Sequence, residues 1–169
     1  MIAIVRRWAQ RSSRTAVILA AASAALVVAN GALFFIWQSQ QAVDGARTAA
    51  VSAANQDVPA LLSYSYSSFD HDLAQAEAGT TDQFRNTYGN LMTSQIEPAA
   101  KQNQVVTEAT VSGTSVISAQ SGTATLLMFL NQQTKTSTKS ESVLNDTAVR
   151  VVMRQVNGTW LVDNLVPRA

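Results

Sequence analysis

Residues 148–166 read AVRVVMRQVNGTWLVDNLV. Ala148–Val156 and Thr159–Val166 are rich in Val, Leu and Thr with period-two alternation, the pattern of a half-buried strand. Asn157-Gly158 stands between them, and both central positions of a tight hairpin turn need positive φ. The stretch therefore predicts a terminal antiparallel hairpin. Upstream, Val105–Val111, Thr114–Ala119 and Thr123–Leu130 carry the same alternation, with Ser112-Gly113 and Ser121-Gly122 expected as turns. In Thr123–Leu130 both faces are apolar, with Ala124, Leu126 and Met128 opposite Leu127 and Phe129. Such a strand is expected mid-sheet and buried on both sides. Residues 134–140 (TKTSTKS) are expected as a solvated polar loop.

Before Asn103 the period changes to that of helices. Val43, Ala46, Ala50, Ala54, Val58 and Leu61 recur at threes and fours, giving one apolar stripe. Pro59 has no amide proton, so the helix is expected to kink there or restart with Asp57 as N-cap. Ser67 or Ser68 caps a short helix ended by Gly79, and Thr80 or Thr81 caps a third carrying Phe84, Tyr88, Leu91, Met92 and Ile96, with Glu97-Pro98 near its end. Helices followed by a four- to five-stranded antiparallel sheet define an α+β fold.

The N-terminal region is of another kind. Arg6, Arg7, Arg11 and Arg14 precede an uncharged run from Ala16 to Trp37, and the first acidic residue is Asp44. A helix over that run is about 33 Å long, enough to cross a hydrocarbon core of ~30 Å. The arginines predict a cytoplasmic N-terminus and an extracytoplasmic remainder. The apolar run exceeds that of a cleavable signal, so the anchor is expected to be retained. The organisation read is a basic tail over 1–14, a transmembrane anchor over 15–38 and an extracytoplasmic domain over 39–169.

Composition excludes several classes. The 169 residues hold 12 Lys and Arg against 11 Asp and Glu, one His and no Cys. A net charge of +1 lacks the basic field of nucleic-acid binding. Thiol chemistry and Cys-type metal sites are ruled out, and a single His leaves little for metal ligation or acid–base work. No catalytic residue, cofactor or metal site is assigned. Asp70-His71-Asp72 is the one cluster that suggests acid–base chemistry, but helical neighbours point about 100° apart and do not converge.

The order of elements and the last hairpin, Arg154 to Asp163 around Asn157-Gly158 and Trp160, resemble the nuclear transport factor 2-like (SnoaL-like, cystatin-like) cone. That likeness implies helices packed on a curved antiparallel sheet, with Trp160 plugging the cone. A single anchor before such a cone resembles the Mce-associated membrane proteins of actinobacteria. The matching segments are Leu61-Leu62-Ser63-Tyr64-Ser65-Tyr66, Asp70-His71-Asp72-Leu73, and Thr81-Asp82-Gln83-Phe84 followed by Tyr88. Asp82 stands where that family commonly has Gly.

The resemblance implies a non-catalytic accessory subunit of an Mce-type lipid import complex at the outer face of the cytoplasmic membrane, with protein partners there. Two alternatives share the elements: a bridging subunit of a type IV secretion system, and a SnoaL-like isomerase or ligand-binding domain. Tyr64, Tyr66, Phe84, Tyr88 and Trp160 either line an apolar cavity that holds a hydrophobic ligand or simply fill it. Asp163 is expected to face away from Trp160 and Val162, which leaves the isomerase alternative without a base.

Overall fold

The computed structural model describes Asn30 and residues 43–168, and the fold reported is that of the unit Val43–Ala169. The expected span from Ala16 to Trp37 lies outside the described residues. Among those described, no helix is long and apolar enough to cross a membrane.

The first helix, α1, covers residues 43–62. Its stripe behaves as the spacing requires: Ala50, Ala54, Val58 and Leu61 are buried. Pro59 neither breaks nor restarts it, so Asp57 is an interior helical residue and not an N-cap. Losing one intrahelical bond is outweighed here by the burial of Val58 and Leu61 on either side of Pro59.

The motif after α1 forms the joint between helix and sheet. Tyr64–Ser65 is a two-residue strand, β1, paired with Thr107 and Val106. Ser63 Oγ accepts from the Ala109 amide at 2.9 Å, and the Tyr64 ring meets Phe69 edge-on at 5.8 Å. Helix α2 (Phe69–Ala78) follows with Ser68 before it and Gly79 as C-cap. Helix α3 (Asp82–Leu91) is capped by Thr81, whose hydroxyl accepts from the Phe84 amide. Asp82 takes the first helical position, where a carboxylate favours the helix dipole and no glycine is needed.

The helix does not stop near Glu97-Pro98. It passes through a π-helical turn, Met92–Ile96, into α4, Glu97–Asn103. Pro98 cannot donate to the carbonyl four residues back and crowds it. The backbone widens instead: the Glu97 amide donates to Met92 O, five residues behind.

Strands β2 (Val106–Gln120), β3 (Thr123–Thr136), β4 (Lys139–Val156) and β5 (Thr159–Arg168) complete a sheet of order β1-β2-β3-β4-β5, antiparallel throughout. Two expectations change here. Ser112-Gly113 is not a turn: β2 runs through it, with register shifts after Val111 and after Val116. These bulges bend the strand and curve the sheet. Nor are residues 134–140 an open loop, because β3 continues to Thr136 and β4 begins at Lys139. Ser137 in the tight turn donates through both its amide and its hydroxyl to Asn103 O, tying the hairpin to the end of α4. The turns at Ser121-Gly122 and Asn157-Gly158 form as expected, with φ of 82° at Gly122, 51° at Asn157 and 87° at Gly158.

The core lies between the helices and one face of the sheet. Ala124, Leu126, Met128 and Leu130 of β3 join Val149, Val151 and Met153 of β4 and Trp160 and Val162 of β5, all buried. β3 is central, as expected, but it is buried on one face only. Phe129 is 46% exposed on the other.

Candidate functional site

Between helices and sheet the core opens into a cavity of about 530 Å³. Its helical wall comprises Leu61, Leu62, Phe84, Tyr88 and Leu91, continued by Met92 and Ile96 from the π-helical turn. Phe84 and Tyr88 lie one helical turn apart with ring centroids 6.0 Å apart. The Tyr88 hydroxyl donates to Leu61 O at 2.7 Å, so the ring, and not its polar tip, faces the space. Burial pushes the Tyr88 phenol well above the usual tyrosine range, with the negative charge of Glu77 adding to it. It is therefore protonated at neutral pH and keeps this bond.

The sheet wall changes character along β3. After Leu130 the inward row continues with Gln132 and Thr134, which face the cavity with Thr107, Leu165 and Pro167. The Thr107 and Thr134 hydroxyls hydrogen-bond to each other at 3.2 Å. Gln132 Oε1 accepts from Thr147 at 3.3 Å. Among the described residues, the lining contains no Asp, Glu, His, Lys or Arg. It is an apolar chamber with an uncharged hydrogen-bonding end.

The five aromatics singled out from the sequence separate into two sets. Tyr64, Phe84 and Tyr88 line the cavity. Tyr66 is exposed, and its backbone amide donates to Val105 O. Trp160 is 7% exposed and stands outside the cavity wall. It pairs with Gln155 on β4, whereas Leu165 of the cavity pairs with Val151. Trp160 therefore packs toward the hairpin end of the sheet and the cavity lies farther along. Met92, Ile96, Thr107, Gln132 and Thr134 line the cavity beyond the aromatics expected from the sequence. Period-two extension of β3 past Leu130 reaches Gln132 and Thr134, but the widened turn behind Met92 and Ile96 has no sequence signature beyond Pro98.

The acidic residues have structural partners. Asp72 Oδ2 accepts from the Ser65 amide at 2.8 Å and from the Ser68 hydroxyl at 2.9 Å, while Asp70 and His71 are exposed. Asp163 turns away from the buried Trp160 and Val162. It accepts from Arg154 at 2.8 Å and from the Thr81 hydroxyl at 3.0 Å. Arg154, with Thr81 adding, holds the Asp163 carboxyl below the usual carboxylate range. The same joint is stitched by the Val162 amide to Gly79 O and the Thr81 amide to Val162 O. No cluster of metal-ligating side chains occurs among the described residues.

The outer face of the sheet is a second feature. Leu127 pairs with Arg150 and Phe129 with Ala148, while Arg150 and Ala148 pair with Val166 and Arg168. Ile117 is 56% exposed and Val166 46%. Ile117, Leu127, Ala148, Arg150 and Arg168 surround a shallow hollow. Among the described residues neither arginine has a carboxylate partner.

No protein-family model matches the chain. Among solved structures the fold is shared with an IcmL-like type IV secretion system protein from Legionella pneumophila. The TM-score is 0.61 at 14% identity, covering 73% of this chain and 93% of that one. The periplasmic domain of DotI superposes with a TM-score of 0.59 at 16% identity over 69% of this chain and 91% of its own. CagV, a VirB8 homolog of type IV secretion from Helicobacter pylori, gives 0.56 at 16% identity over 69% and 93%. The fold is thus the nuclear transport factor 2-like cone expected from the sequence. In sequence the chain is 34% identical over 145 residues to outer membrane protein Rv1973 of Mycobacterium tuberculosis strain H37Rv, covering 85% of this chain and 90% of that one. It belongs to the family of that mycobacterial protein.

Proposed function

We propose that the chain is a membrane-tethered assembly subunit of an envelope complex, acting by protein binding and not by turnover. The observation that carries this reading is the outer face of the sheet. Phe129, Ile117 and Val166 expose large apolar surface across three strands, beside Arg150 and Arg168. Single exposed apolar residues are ordinary, but several gathered on one sheet face favour a contact surface. The two arginines favour a partner with carboxylates near its own apolar patch.

Likeness of fold to proteins of type IV secretion supports a bridging role, with the domain held beside the membrane and contacting other subunits. The Mce-type lipid importer is supported by the sequence motifs alone. An inside N-terminus and an anchor over 15–38 complete the proposal. Tethering would raise the domain's effective concentration beside other envelope proteins.

The test is co-purification of the full chain from membranes in mild detergent, with Phe129→Glu and Ile117→Glu as variants. Both sites are half exposed, so folding should survive and partner recovery should fall. Unchanged recovery from both variants would remove the outer face as the docking surface. Secretion-channel subunits in the wild-type eluate support the bridging role, whereas lipid-import subunits support the Mce reading. A cytoplasm-only reporter fused after Ala169 should be silent; activity would overturn the topology.

A further inference from the structure

We infer that the cavity between helices and sheet binds one acyl chain of a neutral amphiphile, with the carbonyl of its head group held by Gln132 and the Thr107–Thr134 pair. The proposal is independent of the docking surface, because this cavity lies on the inner face of the sheet and that surface on the outer.

Shape and chemistry both lead there. A space of about 530 Å³ falls within the range of small-molecule sites, and Leu61, Phe84, Leu91, Met92 and Ile96 give it a nearly continuous apolar wall. Apolar side chains lining a cavity shed water and gain contacts when hydrocarbon enters, so a hydrocarbon occupant is favoured. The π-helical turn presents Met92 and Ile96 together on that wall, and an unbranched Met adapts to chains of different length.

The polar end selects the head group. Gln132 Oε1 is occupied by Thr147, which leaves its Nε2 hydrogens to donate. In the Thr107–Thr134 pair one hydroxyl donates to the other, so one hydrogen remains available. These donors recognise an acceptor such as an ester carbonyl, and the remaining lone pairs of Gln132, the two threonines and Asn164, which also lines the cavity, can accept from head-group hydroxyls. Tyr88 contributes none, because its hydroxyl is held by Leu61 O. With no Lys, Arg or His in the lining, a carboxylate or phosphate would enter without a countercharge, which is costly away from water. An uncharged ester, such as a monoacylglycerol, matches; a fatty-acid anion does not. Leu91 is 46% exposed, so the helical side of the cavity reaches solvent.

The test uses the full chain in lipid nanodiscs and a monoacylglycerol carrying a photoreactive group at the end of its chain. Labelling should map to the segment Asp82–Ile96 and be displaced by monooleoylglycerol. At pH 8 oleate should compete about tenfold less well or worse. Across a saturated monoacylglycerol series, competition should strengthen about fourfold per methylene until the cavity is full. Gln132→Leu should weaken monooleoylglycerol about five- to tenfold and narrow its advantage over oleate. Met92→Trp narrows the space at its wall and should weaken labelling about tenfold or more while the thermal midpoint stays within a few degrees. If Met92→Trp fails to fold, Leu91→Trp at the exposed edge replaces it with the same expectation. Labelling that is undiminished in a folded Trp variant, maps elsewhere, or is displaced equally by oleate would overturn the proposal. None of these outcomes bears on partner recovery through Phe129 and Ile117.

Discussion

Removing Trp160 should cost far more stability than removing Phe129, although both are large aromatics on one sheet. Trp160 is 7% exposed in the buried face that carries Met153 and Val162, while Phe129 is 46% exposed on the opposite face. Trp160→Ala deletes a fully packed indole and leaves a void, a change that costs roughly 3–5 kcal/mol. Phe129→Ala gives up about half of a side chain's burial and opens no cavity, so it should cost about 1 kcal/mol. For a domain of this size a kcal/mol corresponds to roughly 3–4 °C in thermal midpoint. The expected shifts are then about 10–20 °C for Trp160→Ala and about 3–4 °C for Phe129→Ala. Far-UV circular dichroism of the full chain in detergent reads both without relying on the deleted indole. Equal shifts would mean that Trp160 is not a core residue and that the two faces of the sheet have been assigned wrongly.

Two glycines should respond in opposite directions. A Cβ at Gly79 would lie 2.8 Å from Asp57 Cγ and 3.0 Å from its Cβ, so Gly79→Ala should destabilise by about 1–3 kcal/mol. In Gly89→Ala the new methyl meets only the flexible end of Glu77, and helix propensity should stabilise by about 0.5–1 kcal/mol; thermal melts of both variants check the contrast. Asp163 has a lowered pKa from its bonds to Arg154 and Thr81, so its stabilisation is present above the unfolded carboxylate value and lost as pH falls through the folded one. Asp163→Asn should therefore lower the melting midpoint at pH 7, and the difference should close in acid; a pH-independent difference would refute the linkage. Asp57 is shifted the other way, upward through burial. Its charge opposes folding at neutral pH and the penalty is relieved as pH falls through the raised value, so Asp57→Asn should stabilise at pH 7 and lose that advantage in acid.

Local chemistry was enough for the class of fold and for much of its punctuation. The apolar spacing of α1 requires a buried stripe, and Ala50, Ala54, Val58 and Leu61 supply it. Asn157-Gly158 and Ser121-Gly122 make hairpins because both turns call for positive φ, a property of residues close in sequence. Thr81 caps α3 for the same kind of reason. Ser112-Gly113 carries equally good turn residues and forms a bulge instead, because β2 there stays paired with β3 and Gly113 lies opposite Phe129. That outcome is decided by a strand that follows, not by the dipeptide. The apolar run Thr123–Leu130 could not disclose that only one of its faces is covered, since coverage depends on helices far away in sequence. The cavity was legible only in part for the same reason. Its aromatics stand on elements the sequence defines, but Gln132, Thr107 and the widened turn at Met92–Ile96 come together only when the sheet curves under the helices. Backbone preferences act over a few residues and can be read along the chain; an exposed face and an enclosed space arise from packing between distant segments, and tertiary structure alone decides them.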